Sequence, residues 1–480
     1  MNRPKFKPAR IAIAIASITI QETLSAARRA LKGTAFSLGE HAHKYLFNFM
    51  ARQGMIKFAA FNKQEIVAFE QSLAGFEDGL VVSEKFTTVN ISDVEAERAN
   101  NILWRPQPYI AQSFNGLDQS ANFQTNYTQL STPISIGFSH SVPLVLSATE
   151  LRDLLQEQRL GQAAMQRLAS DINIACSNLA ALTGTIFIKR SAAAAGFDDV
   201  AAIDTAMNRL GIDPMNRRAF YSSSDYNNMA SNLAGRVLDN SKSLNAYERA
   251  FVGNVASIDT HKLDYAFRLT AAAGVTVTVN GANQRYVPRA TSTAGTGEIS
   301  NVDNRFQNLT IAVVSGTVKV GDAFQIANVN EVHHITKQDT GSPKTFRITA
   351  IISGGGGSGV VQISPPIIAA DSSPTLPELQ YRNCTATPAN GAAITFLNTA
   401  TGFANPFWQG DCMQIMPGRY RPALDSGLAI MTATTKQGIT VTMARQGLIG
   451  DLSTRYRWDV FYGLANMQPQ MSGIEMFSQP

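Results

Sequence analysis

VTVTV at Val275–Val279, LTIAVV at Leu309–Val314, VKVGDAFQI at Val318–Ile326, FRITAII at Phe346–Ile352 and VVQI at Val360–Ile363 fall within one stretch of a 480-residue chain. Between Thr270 and Thr399, valine, isoleucine and threonine number 41, and leucine numbers 4. β-Branched side chains fit a pleated surface and crowd a helix, so the block reads as strands. Glycine-rich turns, notably Gly354–Gly357, separate several of the runs. Short strands with turn signals between them predict a small barrel or sandwich. Tyr286–Asn301 (YVPRATSTAGTGEISN) is too long and polar for a hairpin turn and is expected to project as a loop.

The flanks have a different character. Ser147-Ala-Thr-Glu150 forms a capping box, and it opens a helix expected to end near Gly184. Leu151, Leu154, Met165, Leu168, Ile172, Cys176, Leu179 and Leu182 make its stripe. About 35 helical residues span roughly 50 Å, enough for a spine along an elongated subunit. A coiled coil is the alternative, against which Gly161, Ala163 and Ala164 speak. The block therefore reads as an insertion in a host whose strands resume after Phe403, at Met413–Ile415, Ala429–Thr434, Ile439–Ala444 and Arg455–Gly463.

Further upstream, Asn62–Phe76 has helical spacing, with Asn62 and Glu65 as a capping box, and Leu80–Val82 looks strand-like. Asn115–Ser131 is a polar, Asn/Gln-rich stretch between strand-like flanks, Pro108–Phe114 and Pro133–Leu146. Together these predict a long two-stranded arm. An isolated hairpin is marginal in water, so the arm should lie on something. Phe197–Leu210 and Ser223–Leu238 read as shorter helices, the first capped by Asp198 or Asp199 and the second by Ser223 or Ser224. A strand ending at Tyr221 lies between them.

The composition, 44% hydrophobic and 16% charged, excludes a disordered chain. The net charge of +5 is concentrated: residues 1–50 hold eight basic and two acidic side chains, so the remainder sums to −1. No domain-wide nucleic-acid footprint follows. Ile11–Ile20 is an apolar run of ten residues after four positive charges, which fits a signal peptide or an extra leader. It is shorter than the roughly 18–20 residues of a membrane span. Three distant cysteines, Cys176, Cys384 and Cys412, suggest reduced buried thiols.

Patterns that carry chemistry are missing. There is no G-x-x-x-x-G-K phosphate loop, no G-x-S-x-G and no H-E-x-x-H. Adjacent residues on a strand point to opposite faces, so His333 and His334 read as surface strand histidines and not as a metal pair. His140 reads as structural. No acidic pair is placed for acid–base work. No catalytic, cofactor or metal site is expected, and the silence points to assembly. Arg289, Glu298, Asp303 and Arg305 cluster around the long loop of the block, where mixed charges would steer a partner and fix register.

Val302-Asp303-Asn304-Arg305-Phe306 followed by Val320-Gly321-Asp322 resembles the inserted domain of the coat protein of short-tailed Salmonella-type phages. So does Asn405-Pro-Phe-Trp408 with Asp411 and Met413-Gln-Ile415. Trp458, Tyr462-Gly463 and Gln468-Pro469 before Gly473-Ile474 resemble that family's C-terminal strand. Leu151-Arg152-Asp153, Leu168-Ala169 and Asn178-Leu-Ala-Ala181 resemble its spine helix, and Trp104 with Pro106 falls where it leaves its N-terminal arm. The resemblance covers roughly residues 55–480.

It implies an α+β tailed-phage major capsid fold with an inserted small all-β barrel. After a basic leader (1–49) would come an N-terminal arm (50–107) and an extended loop (108–146). The spine helix of the peripheral domain (147–184), a peripheral/axial part (185–268) and the inserted barrel (269–400) would follow, then the axial return with a C-terminal peripheral strand (401–480). The implied role is a major capsid protein that forms pentamers and hexamers of an icosahedral shell in the host cytoplasm. Its implied partners are a scaffolding protein, a portal protein and packaged double-stranded DNA bound non-specifically, with no membrane. Contacts between subunits are expected at Asn115, Asp118, Phe123 and Tyr127 of the extended loop, and at Arg289, Glu298, Asp303 and Arg305. A bacterial compartment-shell or surface-layer lattice protein is the alternative.

Overall fold

This computed structural model describes residues 63–92, 96–97, 102–107, 116–118, 120, 128–147, 154–234, 253–371, 374–420, 428–448 and 450–480. The chain divides into two compact units, Met1–Lys63 and Gln64–Pro480, and the described residues fall almost wholly in the second. The basic leader lies outside them, as do Asn62 and Ala148–Glu150 of the expected capping boxes.

The chain runs through α1 (Lys63–Gly79), β1 (Thr87–Thr88), β2 (Ile102–Pro106), β3 (Ser131–Ser135), β4 (Phe138–Leu146) and the long helix α2 (Leu154–Thr183). Next come β5 (Ile186–Lys189), α3 (Phe197–Leu210), β6 (Arg217–Ser222), α4 (Ser223–Ala234), β7 (Asn254–Val255), β8 (Ile258–Leu263) and β9 (Arg268–Leu269). The β-branched block holds β10 (Ala273–Val279), β11 (Thr291–Thr293), β12 (Ile299–Asn301), β13 (Gln307–Thr317) and β14 (Ala323–Val332). It continues with β15 (Asp339–Ile351), β16 (Gly359–Ser364), α5 (Leu376–Tyr381) and β17 (Ala393–Phe396). Last are β18 (Gly402–Phe403), β19 (Asn405–Gln409), β20 (Met413–Gly418), β21 (Ala429–Thr434), β22 (Thr440–Leu448), β23 (Ser453–Asn466) and β24 (Ser472–Met476).

The first sheet is built around β23, whose alternation of polar and aromatic residues buries Tyr456, Trp458, Val460 and Tyr462. One edge of β23 carries β4, paired antiparallel from Leu146↔Thr454 to Phe138↔Tyr462. The other carries β22 and β20, with β21 and β1 outside them. Helix α2 packs on β23 and β4, burying Met165, Leu168, Ile172 and Cys176 of the expected stripe. Its 30 described residues correspond to about 45 Å of helix.

Two local expectations need correction here. Leu80–Val82 is no strand but a turn leading into a 3-10 turn at Ser83–Lys85. Asn173 of α2 dictates this, donating from Nδ2 to the Gly79 carbonyl at 2.6 Å and accepting the Val82 N–H at 3.2 Å. These bonds satisfy polar groups that the end of α1 leaves open. The arm is also built differently. β3 pairs with β2, from Ile102↔Ser135 to Pro106↔Ser131, and β4 belongs to the sheet of its own chain. The changeover is allowed by Gly463, where an added Cβ would collide with the Ser135 carbonyl oxygen. The other expected flank, 108–114, lies outside the described residues.

The second sheet has the order β5-β24-β19-β6-β8-β7 and mixes parallel and antiparallel pairs. Val200, Ile203, Met207 and Leu210 of α3 and Met229 and Ala230 of α4 share a core with Tyr221 and Phe407. Asp199 accepts the backbone N–H groups of Ala195 and Gly196 at 2.6 and 3.0 Å, closing the start of α3. At α4 the capping hydroxyl is Ser222, one residue before the expected pair; it accepts the Asp225 N–H at 3.2 Å.

Glu475 of β24 is fully buried in this sheet, hydrogen-bonded by the Tyr221 hydroxyl at 3.2 Å. The Arg190 guanidinium, 2.6 Å from Asp199 and 3.8 Å from Glu475, serves two carboxylates. Burial, then the nearby Asp199 charge, pushes the Glu475 carboxyl well above its usual range, against the pull of Arg190 and Tyr221. A proton retained in the fold but released by the unfolded chain makes stability fall as pH rises. This contribution is complete below the ordinary glutamate range and is lost as pH climbs through the raised value. Glu475→Gln should therefore gain stability relative to the parent as pH increases, by at most about 1.4 kcal/mol per pH unit. Urea unfolding at several pH values measures this, and parallel profiles for the two proteins would contradict it.

In the block, β10-β13-β16-β15-β14-β17 close into a barrel filled by Val277, Leu309, Ile311, Phe324, Phe346, Ile348, Val361 and Ile363. The closing strand β17 pairs with both β10 and β14 and is absent from the five runs read in the sequence. The run Val318–Ile326 is divided. Asp322 accepts the Lys319 N–H at 2.9 Å, forming a turn, and β14 starts only at Ala323. Gly354–Gly357 forms the turn between β15 and β16, with positive φ at Gly354, Gly355 and Gly356. The two ends of the block meet where β9 pairs with β18. Fully buried Asn398 binds this neck, donating to the Thr270 carbonyl and to Asp322, each at 3.0 Å, and accepting the Ala323 N–H at 3.1 Å.

Candidate assembly interface

The segment expected to project as a loop contains a β-hairpin. β11 and β12 pair from Thr291↔Asn301 to Thr293↔Ile299, and every residue from 291 to 301 is exposed. Ile299 presents 68% of its surface to solvent. A two-stranded ribbon with both faces wet is marginal alone and gains from a surface to lie on. Its base is rigid because Asn304, nearly buried, accepts the Tyr286 hydroxyl and the Arg289 N–H, both at 3.0 Å. The same side chain donates to the Arg289 and Val302 carbonyls at 2.8 and 2.9 Å.

The four charges named around this loop fall into two pairs. Arg289 and Glu298 are exposed on the hairpin side. Asp303 and Arg305 instead face their own chain. Arg305 clasps Asp303 with its Nε and Nη2, lies 5.3 Å from the Phe306 ring centroid, and donates from Nη1 to the Asn466 carbonyl at 2.9 Å. Asp303 also bridges to Ser131 of β3. These two residues join the barrel to β3 and to the end of β23. Asn304 was visible in the sequence only as the middle of the Val302–Phe306 motif.

In the extended segment, Asp118 is exposed and accepts the Ser120 N–H at 3.0 Å, which holds its carboxyl below the usual range. Beside it Leu117 is wholly exposed. Asn115, Phe123 and Tyr127 lie outside the described residues.

A second set of contacts fastens the barrel to the rest of the chain. Buried Arg347 donates from Nη2 to the Ala181 carbonyl in the last turn of α2 at 3.1 Å, a favourable place for a cation. Thr345 donates to the Thr185 carbonyl at 2.7 Å, and Arg209 of α3 pairs with Glu331 of β14. His333 and His334 are not surface strand residues as expected. They follow β14 in a turn, where the His334 N–H donates to the Leu210 carbonyl at 2.9 Å and the His333 ring packs over Gly211. Burial lowers His334 to a pKa of about 3, so its ring is neutral.

Among the described residues no His, Cys, Asp and Glu side chains gather as a metal site. The three cysteines are buried and free, and burial raises each thiol, Cys384 to about 12, which makes them poor nucleophiles. Among the described residues no helix is long and apolar enough to cross a membrane.

The family model described as "P22 coat protein - gene protein 5" matches residues 59–478. The chain belongs to the P22 coat protein family. It is a phage coat protein, a structural subunit of a multimeric capsid, and the compartment-shell or surface-layer alternative is not favoured. Its fold is the α+β capsid fold with an inserted closed barrel.

Solved structures similar to this coat protein include a chain of Mycobacterium phage Che8, with 9% identity, 81% of this chain and 92% of that chain covered, and a TM-score of 0.37. The capsid structure of Cyanophage P-SCSP1u has 10% identity, 82% and 87% coverage, and a TM-score of 0.38. The CUS-3 coat protein I-domain has 39% identity over 26% of this chain and 96% of its own, with a TM-score of 0.21.

Proposed function

We propose that this coat protein assembles on a scaffolding protein, in the host cytoplasm, into an icosahedral shell of pentamers and hexamers. A portal protein would occupy the shell, which would enclose double-stranded DNA bound without sequence preference. The observation that carries the reading is the exposed hairpin Thr291–Asn301 on its rigid base, a ribbon that needs a neighbour. Arg289 and Glu298 would meet a two-fold related copy there, while Asp303 and Arg305 support the hairpin from behind. The segment around Asp118, with wholly exposed Leu117, would lie across the adjacent subunit.

In this proposal residues 50–107 are the N-terminal arm, and the part of the extended loop that leaves its own subunit narrows to about residues 107–130. Residues 147–184 are the spine of the peripheral domain. The axial domain draws on 185–268 and 401–480, whose last strand is peripheral, and 269–400 are the inserted barrel. One chain must fit both five- and six-fold rings, so the joints between these parts absorb the angular difference.

Coexpression with a scaffolding protein followed by negative-stain imaging tests the proposal. Uniform closed shells are expected. Amorphous aggregates or flat lattices from folded subunits would overturn it.

A further inference from the structure

Where the barrel meets the turn at Gln468–Met471, the chain forms a cavity of about 120 Å3 that opens to solvent. Gln107 and Leu130, which flank the extended segment, complete its wall. Three polar groups in the wall lack the partners their burial calls for. Gln380, only 3% exposed, accepts the Thr128 N–H on Oε1 at 3.4 Å, and its buried Nε2 has no hydrogen-bond partner. The buried Nε2 of His334 has none either. Lys337 makes one described hydrogen bond with its ammonium, to the Arg382 carbonyl at 3.1 Å, leaving two donors.

Charge around the cavity is one-sided. No carboxylate lines it. Asp303 is paired with Arg305, Glu331 with Arg209, and Glu378 with Arg285. Lys344, buried nearby, has only a long bond of 3.4 Å to Gln470 Oε1 among its described hydrogen bonds. Burial, then Lys344 and Arg382, brings Lys337 down to about 8, as expected of a cation short of counter-charge. A half-buried cation short of counter-charge, beside a buried amide donor with no partner, is costly unless something accepts from them. A volume of this size accommodates several waters or one tetrahedral oxyanion. Water would satisfy the donors, whereas an oxyanion would also supply the missing counter-charge.

We propose that this cavity binds a small inorganic oxyanion, phosphate being the representative, held by the Lys337 ammonium, the Gln380 amide N–H and His334 Nε2–H. Bound there, the anion joins the barrel to the base of the extended segment through Gln380 and Thr128. Anion binding stands independently of the shell geometry proposed above, because its test uses unassembled subunits.

Full-length soluble subunits are unfolded thermally in rising inorganic phosphate, with chloride holding ionic strength constant. The expected result is a saturating rise of about 2–4 °C in the midpoint. Lys337→Met and Gln380→Leu, made separately, should each abolish it. Broadening of the phosphorus-31 resonance of phosphate by the wild-type subunit provides a reading that needs no variant. No rise and no broadening would overturn the proposal. So would a rise that never saturates, an adventitious ion only, or one of equal size in a folded variant.

Discussion

Trp408→Ala should cost the subunit about 3–5 kcal/mol of stability. Trp408 is fully buried in β19, stacked on Phe220 with ring centroids 4.6 Å apart and an interplanar angle of 7°. Phe86 meets it edge-on at 5.4 Å. The three rings come from segments distant in sequence, so the indole joins the chain after the 3-10 turn to two strands of the second sheet. Truncation removes the transfer free energy of the ring and leaves a cavity that the surrounding strands close only partly. Domains are typically stable by roughly 5–15 kcal/mol, so the variant should unfold at much lower urea or fail to accumulate. A midpoint corresponding to less than about 1 kcal/mol of loss would contradict this packing.

Gly473→Ala should be nearly as damaging, through overpacking. Gly473 lies in β24 between β5 and β19, directly against Gly184 at the end of α2. A Cβ there would collide with the Ile186 carbonyl oxygen, stand 2.5 Å from Phe407 Cζ and 2.6 Å from Ile186 Cβ. Two of those obstacles belong to the paired strand β5, so relief requires parting a ladder that holds the chain terminus in the sheet. Overpacking in cores costs typically about 1–3 kcal/mol, and the rigid backbone here places the loss at the upper end or beyond. Ser472→Ala would be a poor control, since that hydroxyl is hydrogen-bonded to Pro469 and Asn466. Gly447→Ala, in an edge region where a Cβ meets nothing within 4 Å, should be close to neutral. Comparable losses for Gly447→Ala and Gly473→Ala in urea unfolding would refute the steric account.

The barrel was legible because its strands bury β-branched residues at alternating positions, a pattern local in sequence. Val277, Ile311, Ile348 and Val361 all belong to runs read from composition, and all are core. The short closing strand β17 offered only Ala393–Phe396, and its role arises from pairing on both sides, which no local pattern encodes. The same limit explains the divided run at Asp322 and the turn at Leu80–Val82. In each place one polar side chain, Asp322 or Asn173, fixes the backbone against apolar composition.

Charges clustered in sequence near the hairpin were legible as a group, but not their directions. Arg305 turns toward Asn466, 161 residues away, whereas Arg289 faces solvent. The anion cavity had no sequence signature, because His334, Lys337, Gln380 and the Gln468–Met471 turn converge only through the docking of barrel and host. The pair His333-His334 has no strand alternation, because the strand ends at Val332. Half-buried, it contacts Leu210 and Gly211 at the end of α3.

In the function proposed above, this coat protein closes a shell by laying part of its extended segment on a neighbour. Electron microscopy of wild-type protein and of a variant lacking residues 116–130, each coexpressed with a scaffolding protein, tests this contact. Closed shells from the wild type and only soluble, folded subunits from the deletion are the predicted result. Normal shells from the deletion variant would contradict it.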